Sequence, residues 1–295
     1  VTLDILLPFY GRFDHFRLAV ESVLAQSDGD WRLVVVDDVY PDLAPGEWVQ
    51  SLGDDRIRYL RNEENLGVSR NFAKCVTLME ADYAVIFGCD DVMLPNYVAN
   101  VAALLAANPL ADVIQPGVEV IDSEGNPSLP LGDRIKRSYR HRDVPESGIL
   151  VGEDLAASLL HGNWTYFPAL VWRAELLSTF GFVTTREVVP DLKMLLDIAA
   201  GGGSLVVDET LSFQYRRHSE SVSSWRATDG SRFLEEKELF AEEAERFAAL
   251  GWSRAARSAR VHFSSRVNAL TQLPGAAKQR SAQGIGGLLR HAFGR

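Results

Sequence analysis

Two adjacent acidic pairs, each closing an apolar run, are the residues of this chain best placed to do chemistry. Asp37-Asp38 ends the run Leu33-Val34-Val35-Val36, and Asp90-Asp91 follows Tyr83-Ala84-Val85-Ile86-Phe87. Apolar runs of that length, alternating with helical stretches, read as buried parallel strands. Open α/β sheets bind ligands at the carboxyl ends of such strands. Two carboxylate pairs converging there point to a nucleotide and a divalent metal. Oxygen ligands favour hard cations such as Mg2+ or Mn2+, and one or two carboxylates suffice when a diphosphate supplies the remaining ligands. The competing role for Asp90 and Asp91 is to cap the helix that Pro95 opens. Asp38 can accept from a base N–H or a ribose hydroxyl, or can serve the turn before Pro41-Asp42.

Three further groups carry chemistry. Arg70, with Asn71, lies early in the helix after Gly67, where a guanidinium reaches a diphosphate or makes a surface salt bridge. Asp191 follows Pro190 and opens a helix. It is either a general base for an acceptor hydroxyl or a cap for that helix. His218, in Tyr215-Arg216-Arg217-His218, either touches the metal or diphosphate or is structural. The first strand is not followed by GxGxxG, which disfavours a Rossmann dinucleotide site.

The elements that must position these groups are legible from periodicity. Strands are expected at Leu3–Leu7, Leu33–Val36, Ile57–Leu60, Tyr83–Phe87 and Ala111–Val120. Helices are expected at Phe16–Leu24, Val68–Met79 and Pro95–Ala107. That βαβαβ order predicts an α/β fold with a mixed, mainly parallel sheet and helices on both faces. Its first 120 or so residues form the nucleotide-binding half. Asp122–Gly148 is polar and reads as a long loop. Beyond it, the pattern predicts a helix at Glu153–Leu160, a strand at Phe167–Trp172 and a helix at Leu192–Ala200. Short strands follow at Leu205–Val207 and Leu211–Tyr215. Phe233, Phe240 and Phe247 recur every seven residues on an amphipathic helix running to Leu250.

The net charge of −10 disfavours a nucleic-acid binder, and 46% hydrophobic with 24% charged residues is ordinary for a globular protein. Charge is unevenly spread: Trp252 to Arg295 holds eight basic residues and no acidic one. Such a tail is solvated, or contacts anionic lipid or a partner. Cys75 and Cys89 form no disulfide framework and fit a reducing cytoplasm. Neither a signal peptide nor an apolar run of the ~20 residues that span a bilayer is visible.

Taken in order, the segments resemble family 2 glycosyltransferases of the GT-A fold over about residues 3–225. The parts are Leu6-Leu7-Pro8-Phe9-Tyr10, Val34 to Asp38, Asn65-Leu66-Gly67 with Arg70-Asn71, Cys89-Asp90-Asp91, Asp191 and Tyr215 to His218. The resemblance implies a catalytic domain over 1–225 and a helical extension over 226–295. It implies inverting transfer of a sugar from a nucleoside diphosphate, UDP or dTDP, to a glycan or lipid-linked acceptor in bacterial surface glycan synthesis. Pro8, Tyr10 and Asp38 would hold base and ribose, and Arg70 would lie near the ribose or diphosphate. Asp90 would orient the donor and Asp91 would bind Mn2+ or Mg2+. Asp191 would be the base, and His218 would lie in a loop closing over the donor. The extension would serve self-association or a peripheral contact at the inner face of the membrane. The chain departs from many members at Gly88, where they carry an acidic residue, at Val39-Tyr40, where they carry Gly-Ser, and at Pro190, where an acidic partner precedes the base. Two other readings stay open: a non-catalytic nucleotide-sugar scaffold, and a sugar nucleotidyltransferase, for which only Gly11-Arg12 follows the first strand.

Overall fold

A computed structural model describes residues 2–181, 190–217, 231–278 and 282–293. The chain divides into two compact units that cut across sequence order. The first comprises residues 1–128, 165–185 and 204–216, and the second comprises 129–164, 186–203 and 217–295. The boundary expected near residue 225 lies outside the described residues.

The first unit is built on a sheet. Its strands are β1 (Leu3–Phe9), β2 (Trp31–Asp37), β3 (Ile57–Arg61), β4 (Tyr83–Ile86), β5 (Val92–Met93) and β6 (Val113–Ile121). The second unit carries β7 (Ile149–Val151), and the first unit resumes with β8 (Val171–Arg173) and β9 (Ser204–Arg216). The order is β3-β2-β1-β4-β8-β6-β9-β5. β3, β2, β1 and β4 are mutually parallel, as are β6 and β9. β8 runs antiparallel between β4 and β6, and β5 runs antiparallel to β9. The sheet is therefore mixed, as expected.

Helices α1 (Phe13–Leu24), α2 (Ala44–Ser51), α3 (Val68–Val76) and α4 (Tyr97–Ala107) connect these strands. One face of β1, through Leu3, Ile5, Leu7 and Phe9, packs in a core with Phe16, Ala19, Val20 and Val23 of α1 and Tyr97, Val98 and Val101 of α4. The opposite face, through Leu6, Val34, Val36 and Ile86, is equally buried, and α3 packs on β1 and β2. Burial on both faces is why these strands are unbroken apolar runs. α4 starts at Tyr97 with Asn96 in the cap position, so Asp90 and Asp91 are not its caps.

Several elements differ from expectation. Residues 122–148 are not one loop: α5 (Leu131–Asp143) forms there. Asp133 is its one fully buried side chain, so it has no apolar stripe to signal a helix. Phe167–Ala169 is a 3-10 turn before β8 rather than part of a strand. The two short strands after Gly203 are one, β9, running through the polar stretch Asp208–Thr210. Gly117 permits this, because a Cβ there would lie 2.6 Å from the carbonyls of Glu209 and Thr210. α7 (Ala174–Phe180) completes the first unit.

The second unit is mainly helical. α6 (Gly152–His161) buries Leu155, Ala156, Leu159 and Leu160, and packs on α8 (Pro190–Ala200) and on the helix Ser253–Val261. On the helix Ser231–Ala249, Phe240 and Phe247 of the heptad series are buried. Two further helices, Phe263–Lys278 and Ala282–Phe293, meet through Ala269, Leu288 and Ala292.

Candidate active site

The chain reverses direction across the sheet between β1 and β4. β1 leads to β2 and β3 on one side, and β4 returns to the other. A crevice at the carboxyl ends of such strands is the usual ligand position. Leu6↔Ile86 is the last β1–β4 pair, so Pro8 lies beyond the reach of β4 and its missing N–H costs little there. Pro8 is half-buried, and Tyr10, just past β1, is 55% exposed. The Tyr10 ring meets Tyr40 edge-on at 5.7 Å, and Tyr40 tilts against Phe9 at 5.1 Å. Tyr10 is thus the exposed member of an aromatic group anchored in the core, a type of ring on which a planar base could stack.

The first acidic pair is engaged within the protein. Asp37 accepts from the Tyr40 N–H at 2.7 Å, the Tyr59 hydroxyl at 2.5 Å and Arg61 Nη1 at 2.6 Å. Burial, with the Asp37 hydrogen bond second, pushes the Tyr59 phenol up to about 12. Asp38 accepts from Asn62 Nδ2 at 2.8 Å, the Leu66 N–H at 2.7 Å and the Gly67 N–H at 2.8 Å. Its carboxylate thus ties the Asn65-Leu66-Gly67 loop to the end of β2. Gly67, at φ 76°, turns that loop into α3. Val39, directly after the pair, also has a positive φ, 62°. A β-branched residue is strained there. Arg70 is exposed on the first turn of α3, its Nε donating to the Leu66 carbonyl at 2.7 Å.

The second pair has different surroundings. Asp90 is half-buried and Asp91 is 1% exposed. Asp91 Oδ1 accepts the backbone N–H of Arg216 at 2.7 Å. A Cβ at Gly88 would lie 2.3 Å from Asp91 Oδ2 and 3.2 Å from Asp90 Oδ1. Glycine thus leaves a notch against oxygens of both carboxylates. Burial, and after it the charge of Asp90, push the Asp91 carboxyl well above the usual carboxylate range. A cation beside both oxygens would relieve that penalty. Among the described residues no group of three or more His, Cys, Asp or Glu side chains is arranged to hold a metal. The pair therefore fits a hard ion whose shell a diphosphate completes, rather than an all-protein cage.

Pro8, Tyr10, Asp38, Arg70, Asp90 and Asp91 all belong to the first unit. Asp191 belongs to the second, as the second residue of α8. It lies inside the first turn and is not the cap; an anion is favoured there by the helix dipole. Asn163 Nδ2 lies 3.4 Å from its Oδ2. His218 lies outside the described residues. Sequence reasoning marked the Asp37-Asp38 pair and Gly88 but not the bonds that hold Asp37 or the notch beside Gly88, and it met Arg216 only as part of the Tyr215-to-His218 run.

Comparisons with known proteins bear on the family and the fold. An uncharacterized glycosyltransferase of Rickettsia felis is 30% identical over 222 residues, 75% of this chain and 35% of that protein. The chain spans about a third of the length of the first curated relatives it matches. Among solved structures, the 1–349 fragment of S. aureus TarS superposes with a TM-score of 0.69 at 13% identity, covering 99% of this chain and 81% of that one. The mannosyltransferase PcManGT from Pyrobaculum calidifontis, in complex with GDP-Man and Mn2+, gives 0.61 at 14% identity, covering 98% and 85%. At those identities the superpositions establish the fold, the GT-A sheet with its helices. The sequence model of "Glycosyl transferase family 2" matches residues 4–154, just over half of the chain, and the chain belongs to that family.

Proposed function

We propose that the protein is a metal-dependent inverting glycosyltransferase that moves a sugar from a nucleoside diphosphate to an acceptor hydroxyl. The observation that carries this reading is the Asp90-Asp91 pair after β4, with Asp91 buried and both carboxylates bordering the Gly88 notch. TarS has been solved with UDP-GlcNAc and PcManGT with GDP-Man and Mn2+, which supports a nucleotide-sugar donor here. A UDP- or dTDP-sugar is the donor proposed.

In this reading Tyr10 stacks on the base beside Pro8, and Asp38 holds the loop that borders base and ribose. Arg70 reaches the ribose or diphosphate, and Asp90 orients the donor. Asp91, with Asp90, holds Mn2+ or Mg2+, which supplies charge neutralisation for the departing diphosphate. Asp191 accepts the proton of the acceptor hydroxyl as its oxygen bonds to the anomeric carbon and the carbon–diphosphate bond breaks. Inversion follows from that single in-line displacement. His218 is assigned to the diphosphate side. The acceptor is a bacterial surface glycan or its lipid-linked precursor.

The C-terminal helices support a peripheral role. Among the described residues no helix is long and apolar enough to cross a membrane. Val261, Phe263, Leu289 and Phe293 are exposed, together with Arg257, Arg260 and Arg290. Apolar side chains among arginines suit an anionic lipid surface. Self-association through the same helices would appear as a larger mass in solution without liposomes.

A thermal-shift panel of UDP-, dTDP- and GDP-sugars, with and without Mn2+, tests the donor site. A manganese-dependent rise with one nucleotide class is the expected result. No shift with any donor would count against the donor site, and a shift without transfer would favour the non-catalytic scaffold. Asp191→Asn should keep that shift and lose transfer; retained transfer would place the base elsewhere.

A further inference from the structure

Arg216 is the last residue of β9 and is 4% exposed. A guanidinium taken that far from water is costly unless its donors are met. Here backbone carbonyls meet those of Nε and Nη1. Nε donates to the Asp90 carbonyl at 2.7 Å, and Nη1 to the carbonyls of Asp122 and Ser123 at 3.1 and 3.2 Å. Its own N–H holds Asp91 Oδ1. One residue thus fixes both members of the acidic pair and the turn after β6. The charge is also felt by His15 of α1, which is buried. Burial first, then Arg216, keep that imidazole below its ordinary range, so no second cation is expected beside the guanidinium at neutral pH.

The turn that Arg216 grips is itself tightly made. Asp122 Oδ1 accepts the N–H groups of Glu124 and Asn126 at 3.0 and 2.9 Å. The Asp122 N–H donates to the Asn126 carbonyl at 2.9 Å. Gly125 allows this closure at φ 90°. The turn's outer residues are exposed, yet its carbonyls face the buried arginine.

We propose that Arg216 is a positioning residue: it clamps the Asp90-Asp91 turn in the geometry that receives a divalent cation, with the 122–126 turn as its outer anchor. This rests on the glycosyltransferase reading above. The reason lies in the donors. Lysine keeps the charge but gathers its three donors on one nitrogen, and cannot span carbonyls on two turns as the planar fork does. Groups that orient metal ligands typically cost 10- to 100-fold in affinity when altered.

The test compares full-chain wild type, Arg216→Lys and Asp122→Ala. Free Mn2+ is titrated by electron paramagnetic resonance in the presence of UDP or GDP. Hydrogen exchange is followed over residues 88–93, and melting temperature is recorded for each protein. Arg216→Lys is expected to lose about 10- to 100-fold in Mn2+ affinity. Asp122→Ala, on an exposed turn remote in sequence from the acidic pair, is expected to lose several-fold. Exchange at 88–93 should rise in both. Variants that bind Mn2+ like wild type, with unchanged exchange, overturn the proposal, whatever their melting temperatures. If Arg216→Lys fails to fold, Asp122→Ala decides alone. Wild type that takes up no Mn2+ while Asp122→Ala still loosens 88–93 defeats the metal reading and supports the clamp.

Discussion

The two acidic pairs are alike in sequence and opposite in their surroundings. Asp37-Asp38 meets side-chain and backbone donors from β3, from Asn62 and from the loop before α3. Asp90-Asp91 stands beside a glycine notch, with Asp91 held by a backbone N–H and raised in pKa by burial and by its neighbour. A carboxylate that receives several donors is a stable anion and a structural anchor. One that is buried against a like charge is the one that a cation would stabilise. The pattern Asp-Asp after a buried strand does not distinguish these fates; the donors brought from elsewhere in the chain do.

Substitutions can break or sharpen this contrast, starting with the largest effect. Asp91→Asn should lower sugar transfer by more than about 100-fold, a loss at least as great as altering a group that merely orients a ligand. Its melting temperature should not fall, because the buried carboxyl beside Asp90 gives way to a neutral amide. A transfer assay and a melting scan on the same sample check both halves. Asp38→Ala should show the opposite signature. It takes one acceptor from buried Asn62 and from the half-buried N–H groups of Leu66 and Gly67, at a cost of about 1–3 kcal/mol in chemical denaturation. If Asp38→Ala is instead as stable as wild type, the anchor assignment is wrong. Gly88→Ala should come next, because its methyl would displace the Asp91 carboxylate. Manganese affinity measured by titration should drop about tenfold while the fold persists. The smallest effect is expected for Val39→Gly, which relieves a left-handed valine. A gain of about 1 kcal/mol or less should appear as a slightly higher urea midpoint.

Much of the fold was legible because strands buried on both faces announce themselves. Leu33–Val36 and Tyr83–Phe87 are such runs, and every residue in them is buried. The antiparallel place of β8 was not legible, because three residues, Val171–Arg173, carry no information about their neighbours. α5 was hidden by its polar composition, and β9 by the charged stretch in its middle. The acidic pairs do stand at the end of β2 and beyond β4, as their apolar runs implied. The engagement of Asp38 within the protein was not legible, because its donors sit 24 to 29 positions away. Nor was the clamp of Arg216, whose partners lie farther still.

The bond from Arg216 to Asp91 spans 125 positions. That span has a consequence for biosynthesis. Chains are made from the amino end, and the parallel strands β1 to β4 are complete by residue 86. β5 takes its pairing from β9, so the acidic turn stays unfinished until residue 216 has left the ribosome. Long-range pairings of this kind close late. A nascent or prematurely terminated chain that ends after β4 therefore carries four parallel strands without the finished acidic turn, and any cation binding at that turn would wait for the rest of the protein.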